Sequence, residues 1–182
     1  MAAKMTSEIF SIANGLSSDE ERINYLRQNG TKAVKELLKY NFSDVKFLLP
    51  EGRPDLTNKI EDEEFAFNPQ RGYVEGVDDG ATLNYEVRKM YLFIEGGHPA
   101  LTSVKRETLW IELVNSLHQS EADDLWHMKD KKIQEKYKNI THLVAYSSFP
   151  ESLQQPQPQP KRDTQGRFIK TEKSKKKKKV KK

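Results

Sequence analysis

At 182 residues, with 35% apolar content and a mean hydropathy of −0.85, the chain has room for one domain of ordinary size plus an appendage, and is too polar to be globular throughout. Cysteine is absent, which excludes disulfides and thiolate ligands. No run approaches the ~18 apolar residues of a membrane span, and MAAKMTSEIF lacks the apolar core of a signal peptide, so a soluble, non-exported protein is expected. The formal charge of +4 hides a division: residues 151–182 carry 12 Lys and Arg against 3 Asp and Glu, whereas residues 1–150 carry 19 against 24.

The predicted elements begin with a short helix over Ser7 to Ala13, with Ile9, Phe10 and Ala13 inward and Asn14-Gly15 supplying a left-handed end. Ser18 followed by Asp19, Glu20 and Glu21 reads as a capping box opening a second helix, which turns Ile23 and Leu26 to the core and stops at Asn29-Gly30. Thr31 caps a third helix through Tyr40 that buries Val34, Leu37 and Leu38 and leaves Lys32, Lys35 and Lys39 on the wet side. The cluster Phe42, Val45, Phe47, Leu48 and Leu49 fits either a short strand or a last helical turn, and Pro50 stops both; LPEGRP then reads as a turn. Residues 55–80 hold 8 acids against 2 bases with few aliphatics, the composition of a long acidic loop, with Phe65, Phe67 and Tyr73 arguing for partial docking.

The stretch from Tyr85 to Leu117 organises the rest. It reads as helix, tight connection at Gly96, Gly97, His98 and Pro99, then helix. Leu83, Val87, Met90 and Ile94 form the apolar stripe of the first arm, and Leu109, Trp110, Leu113, Val114 and Leu117 that of the second. Ser120, with Asp123 three residues on, opens a helix with Ala122, Leu125 and Trp126 inward, whose end carries Lys129, Lys131 and Lys132 against the helix dipole. Ile133 and Tyr137 lead to Thr141, which caps a last helix with Leu143, Val144 and Tyr146, closed by Phe149-Pro150. The fold class expected is mostly α: a compact bundle of about six or seven short helices over residues 1–150. A Pro/Gln spacer at 151–160 and a disordered basic tail at 161–182 follow.

The tail is the strongest functional signal. Lys161, Arg162, Arg167, Lys170, Lys173, Lys175, Lys176, Lys177, Lys178, Lys179, Lys181 and Lys182 can neutralise phosphates with release of counterions, which gives sequence-independent, salt-sensitive attraction to nucleic acid. Phe168 adds a ring able to stack on a base. Lysine dominates over arginine, which suits diffuse phosphate contact better than base reading; the bland alternative is a solubilising tail. A second candidate, an anion or partner site, combines Gly96, Gly97 and His98 with Lys105 and Arg106, and with Arg53 of the LPEGRP turn. Pairing of the two helix cations with Glu107 and Glu112 is the structural alternative.

Catalysis has little to draw on. His98, His118, His127 and His142 show no metal-binding spacing, Asp62, Glu63 and Glu64 sit in a polar loop, and no nucleophile elbow is present, so neither an enzyme nor a cofactor is expected.

The ordered blocks LPEGRP at 49–54, EVRKMYLFIEGGHP at 86–99, KRETLWIELV at 105–114 and KDKK at 129–132 resemble a family of small uncharacterised proteins encoded by large tailed bacteriophages, over roughly residues 5–150. That resemblance implies an origin in an infected bacterial cell and assigns no activity. The reading is a non-enzymatic phage accessory protein in the host cytoplasm, with association with the nucleoid and a place in the virion left open. Its domain binds a phage or host protein through Pro50 to Pro54 and the acidic loop, and its tail holds nucleic acid, with no membrane contact. Two alternatives are a structural or assembly protein of the virion, and an inhibitor binding a host protein through the acidic loop.

Overall fold

A computed structural model describes residues 4–53 and 82–156; the expectations for the 55–80 acidic loop, for residues 157–160 of the Pro/Gln spacer and for the basic tail lie outside the described residues. Within them the chain forms eight short α-helices and one 3-10 helix, with no strand, which agrees with the mostly α reading.

Helix α1 (Thr6–Gly15) buries Ile9, Phe10 and Ala13. Its end departs from the expected left-handed stop: Leu16 is simply extended, at φ −69 and ψ 154, because the chain needs only to straighten to reach the next cap at Ser18. Helix α2 (Asp19–Asn29) opens with the predicted box, Ser18 Oγ accepting the Glu21 amide at 3.2 Å while Glu21 Oε2 accepts the amides of Ser17 and Ser18. Gly30 ends α2 for a reason of space and not of handedness. Its φ is −68, but a Cβ there would overlap the Phe149 ring and lie 2.6 Å from the Leu26 carbonyl oxygen. Helix α3 (Lys32–Phe42) is capped by Thr31 Oγ1 on the Val34 amide and buries Ala33, Val34, Leu37 and Leu38.

The first arm of the central stretch is not one α-helix. A single α turn, α4 (Leu83–Glu86), runs into a 3-10 helix (Val87–Phe93). At three residues per turn, side chains at i and i+3 align, so Val87, Met90 and Phe93 make the buried line, and Phe93, not Ile94, completes it. Ile94 forms an isolated antiparallel bridge with Phe47, fixed by Leu48 N to Phe93 O at 2.8 Å and Glu95 N to Lys46 O at 2.9 Å. This resolves the ambiguous Phe42–Leu49 cluster: Phe42 finishes α3, and Phe47 pairs as extended chain.

Helix α5 (Ser103–Asn115), capped by Thr102, buries Trp110, Leu113 and Val114. Trp110 is the hub of the aromatic core, edge-on to Phe93 at 5.0 Å, to Trp126 at 5.7 Å and to Phe47 at 6.3 Å. Helix α6 (Gln119–Lys129) starts earlier than expected. His118, not Ser120, is its cap, Nδ1 accepting the Ser120 amide at 3.3 Å, because imidazole nitrogen here does what a hydroxyl does elsewhere. After α7 (Ile133–Lys136), Thr141 caps α8 (His142–Ser148), which packs Val144 and Ala145 against α2 and leaves Leu143 60% exposed on its outer side, contrary to the inward reading.

One buried side chain ties distant parts together. Glu121 of α6 accepts the Thr6 amide at 3.0 Å through Oε1 and the Leu83 amide at 3.2 Å through Oε2, placing one carboxylate at the amino ends of both α1 and α4.

The space at Gly30 yields a direct test. Gly30→Ala forces a methyl against a backbone carbonyl that cannot yield, so urea denaturation of the variant should show a loss of about 1–3 kcal/mol or more, whereas Gly15→Ala, with open space around it, should change stability little.

Candidate functional site

The cations flagged in the sequence have different fates. Arg106 is buried, and its guanidinium donates to the carbonyls of Leu92 (3.0 Å), Leu101 (2.9 Å) and His98 (3.4 Å), so it fastens the Gly96–Leu101 connection across its width. Gly96 takes a positive φ of 79, and the Gly97 amide is already committed to Ile94 O; a Cβ at Gly97 would overlap the Tyr91 carbonyl. His98 and Lys105 are exposed on the outer side of this connection. Neither Glu107 nor Glu112 forms an ion pair with Lys105 or Arg106: carbonyl capture, rather than local pairing, accounts for the arginine. Arg53 lies elsewhere, beside Asp123 and over the Trp126 ring. The six residues therefore do not converge on one point. Lys161 to Lys182, with Arg167 and Phe168, lie outside the described residues.

Three features stand out instead. The first is an outward line that runs from α4 into the 3-10 segment. Tyr85, Arg88 and Tyr91 fall at i, i+3 and i+6, opposite the buried Val87, Met90 and Phe93, and are exposed, the two tyrosines by 56% and 49%. The Arg88 guanidinium stacks 3.6 Å from the Tyr85 ring centroid. Lys89 pairs with Glu86 beside it. Asn84 Oδ1 accepts the Ala33 amide at 3.2 Å, which brings exposed Lys32 to the same end of the line. Aromatic rings interleaved with cations result. The sequence held this signal, since YEVRKMY carries the three residues at a period of three; reading the arm as an α-helix hid it.

The second is a small cavity of about 180 Å³ under the Leu49–Gly52 strap, walled by Trp110, Ile111 and Trp126 and rimmed by Glu51 and Glu107. The strap is pinned from the end of α6. Buried Lys129 donates to Pro50 O at 2.6 Å, and Asp130 Oδ2 accepts the Gly52 amide at 3.0 Å, with Gly52 at φ 72.

The third is a polar cleft between α1, α6 and α7. Ser7 and Ser120 hydroxyls are 2.8 Å apart, and Ser120 Oγ lies 2.7 Å from His118 Nδ1. That is the distance of a nucleophile and its base, but Nδ1 also accepts the Ser120 amide, so the pair closes the first turn of α6. Behind it, Asp124 Oδ1 takes Lys136 Nζ at 2.6 Å and Tyr137 OH at 2.9 Å, while Oδ2 is buried without a partner. Burial pushes the Asp124 carboxyl up to about 6 against the opposing pull of Lys136, and Glu121 adds to the rise. Burial, and then Asp124, drives the Tyr137 hydroxyl well above its ordinary range. Among the described residues no cluster of three or more His, Asp or Glu could hold a metal ion, and no helix is long and apolar enough to cross a membrane.

A family of unknown function, DUF6433, matches residues 9–135, and the chain belongs to it. The matched stretch contains the strap, the 3-10 segment, α1 from Ile9 onward and α2 to α6 in full, and ends before the basic tail. No curated protein and no solved structure matches the chain.

Asp124 makes stability depend on pH in a definite direction. The folded protein keeps a proton that the unfolded chain releases above about pH 4, so this contribution is full below about pH 4 and is lost as pH rises through about 6. Asp124→Asn removes it. Relative to the parent, the variant should gain about 2–3 kcal/mol between pH 4 and pH 7, read from urea denaturation at the two values.

Proposed function

We propose that this is a non-enzymatic nucleic-acid-associated accessory protein of a tailed bacteriophage, acting in the host cytoplasm: a helical body that engages a protein partner, joined by a Pro/Gln spacer to a cationic tail that holds nucleic acid. The observation that carries the reading is the Tyr85, Arg88, Tyr91 line on the body. A 3-10 rise of about 2 Å per residue sets Arg88 and Tyr91 about 6 Å apart, comparable with one nucleotide step of an extended single strand. The Tyr91 ring and the face of Tyr85 turned away from Arg88 offer base-stacking surfaces, and the guanidinium between the rings offers N–H donors to phosphate. The tail adds diffuse attraction through Lys161, Arg162, Arg167 and Lys170 to Lys182, with no need for sequence reading. A body with more acids than bases needs such a tail to approach a polyanion, and needs rings to prefer a single strand once there.

Binding of labelled oligo(dT) by the full chain, titrated against salt, separates the two contributions. Exchanging Lys175 to Lys179 for glutamine should lower the slope of log affinity against log salt by about 3 to 4. Tyr85→Ala with Tyr91→Ala should weaken binding about tenfold or more while leaving that slope in place. An unchanged slope in the first variant removes the tail from the account, and unchanged affinity in the second removes the line.

A further inference from the structure

We infer that the cavity beneath the Leu49–Gly52 strap is a docking pocket for a single aliphatic side chain of a protein partner, carried on a peptide segment with a basic residue next to it. The inference deepens the partner-binding half of the proposed function and rests on that half alone.

The cavity is built and held open. Its two aromatic walls meet edge-on at 5.7 Å and are locked into the core, Trp110 being 1% and Trp126 7% exposed. Its roof cannot sink onto them, because Lys129 and Asp130 hold Pro50 and Gly52 by direct hydrogen bonds from a rigid helix end. A well-packed interior closes voids of this size unless something prevents it.

The two indoles also report on the cavity. Their Nε1–H groups are buried and have no hydrogen-bond partner among the described residues, and both rings line the one cavity, so a group that packs on the rings changes the surroundings of both.

Volume and charge narrow the occupant. About 180 Å³ is slightly more than the ~150 Å³ apolar cavity that accepts one benzene, which is room for one leucine or isoleucine side chain and too little for a cofactor. Glu51 and Glu107 at the rim are exposed and form no ion pair with the described residues. Their charges favour a cation next to the inserted group. A peptide of the kind Lys-Leu-Lys meets both requirements.

The chain has only two tryptophans, so its spectrum of ¹⁵N-labelled indole groups holds two peaks, both from this cavity. The test uses the full chain and acetyl-Lys-Leu-Lys-amide, with acetyl-Lys-Ser-Lys-amide as the control. The expected result is a saturable movement of at least one indole peak, with a dissociation constant on the order of 1 mM, and no comparable movement with the serine peptide. Glu107→Lys, an exposed change that keeps the fold, should weaken leucine-peptide binding several-fold. Ile111→Trp would fill the space and abolish it; because that variant adds a third indole and crowds the core, the Glu107→Lys result decides if it fails to fold. Equal response to both peptides, or none up to about 10 mM, overturns the inference. Movement of the free-protein peaks on changing Phe168 and Ile169 to serine would overturn it too, since the pocket would then hold the chain's own basic segment. The peptide titration leaves nucleic-acid binding untouched, so its failure and a failure of the tail, read from the oligo(dT) titration, are told apart.

Discussion

A single carboxylate, that of Glu121, receives the backbone amides of Thr6 and Leu83 from opposite sides, and the arrangement of the body follows from it. A domain made of short helices has many helix ends, and each end leaves amides or carbonyls without partners. This chain satisfies them with long charged side chains reaching across the fold. Arg22 takes the Leu16 carbonyl, Arg27 that of Ser147, Arg106 those of Leu92 and Leu101, Lys129 that of Pro50, and Lys131 those of Tyr40 and Ser43 at the carboxyl end of α3. Lys131 adopts a positive φ of 61, a conformation uncommon for a non-glycine residue, where the chain leaves α6. Cations at carboxyl ends and a carboxylate at amino ends also have the sign the helix dipole favours.

These captures decide where the functional surfaces lie. Holding Leu83 at Glu121 and Leu92 at Arg106 stretches the intervening chain into the 3-10 form, whose three-residue pitch lines up Val87, Met90 and Phe93 inward and Tyr85, Arg88 and Tyr91 outward. Holding Pro50 and Gly52 at the end of α6 keeps the strap clear of Trp110 and Trp126. Among the described residues most cations are thereby engaged with carbonyls or carboxylates.

The sequence made the local features legible and the distant ones not. Ser18, Thr31 and Thr141 cap the helices they were expected to cap, because a hydroxyl and an amide three residues later need nothing else to find each other. The stripes at Ile9, Phe10 and Ala13 and at Trp110, Leu113 and Val114 are buried for the same local reason. The burial of Glu121 and Asp124 depends on partners at Thr6, Leu83, Lys136 and Tyr137, which no spacing rule connects, so neither residue stands out in the sequence. The 3-10 arm reads as an α-helix in the sequence because Leu83, Val87, Met90 and Ile94 satisfy the α period about as well as Val87, Met90 and Phe93 satisfy a period of three. Arg106 looked misplaced in the first turn of α5, and only the fold of the preceding connection shows the carbonyls it serves.

The central claim is that Glu121 sets the register of the 83–93 segment. Amide hydrogen exchange of the free protein tests it most directly, because Leu83 and Thr6 sit at helix starts where amides ordinarily exchange quickly. The account predicts that both amides are protected to a level near that of the core amides of α6, and that both lose protection together in Glu121→Ala. Fast exchange at Leu83 in the parent protein, with α6 fully protected, would contradict it.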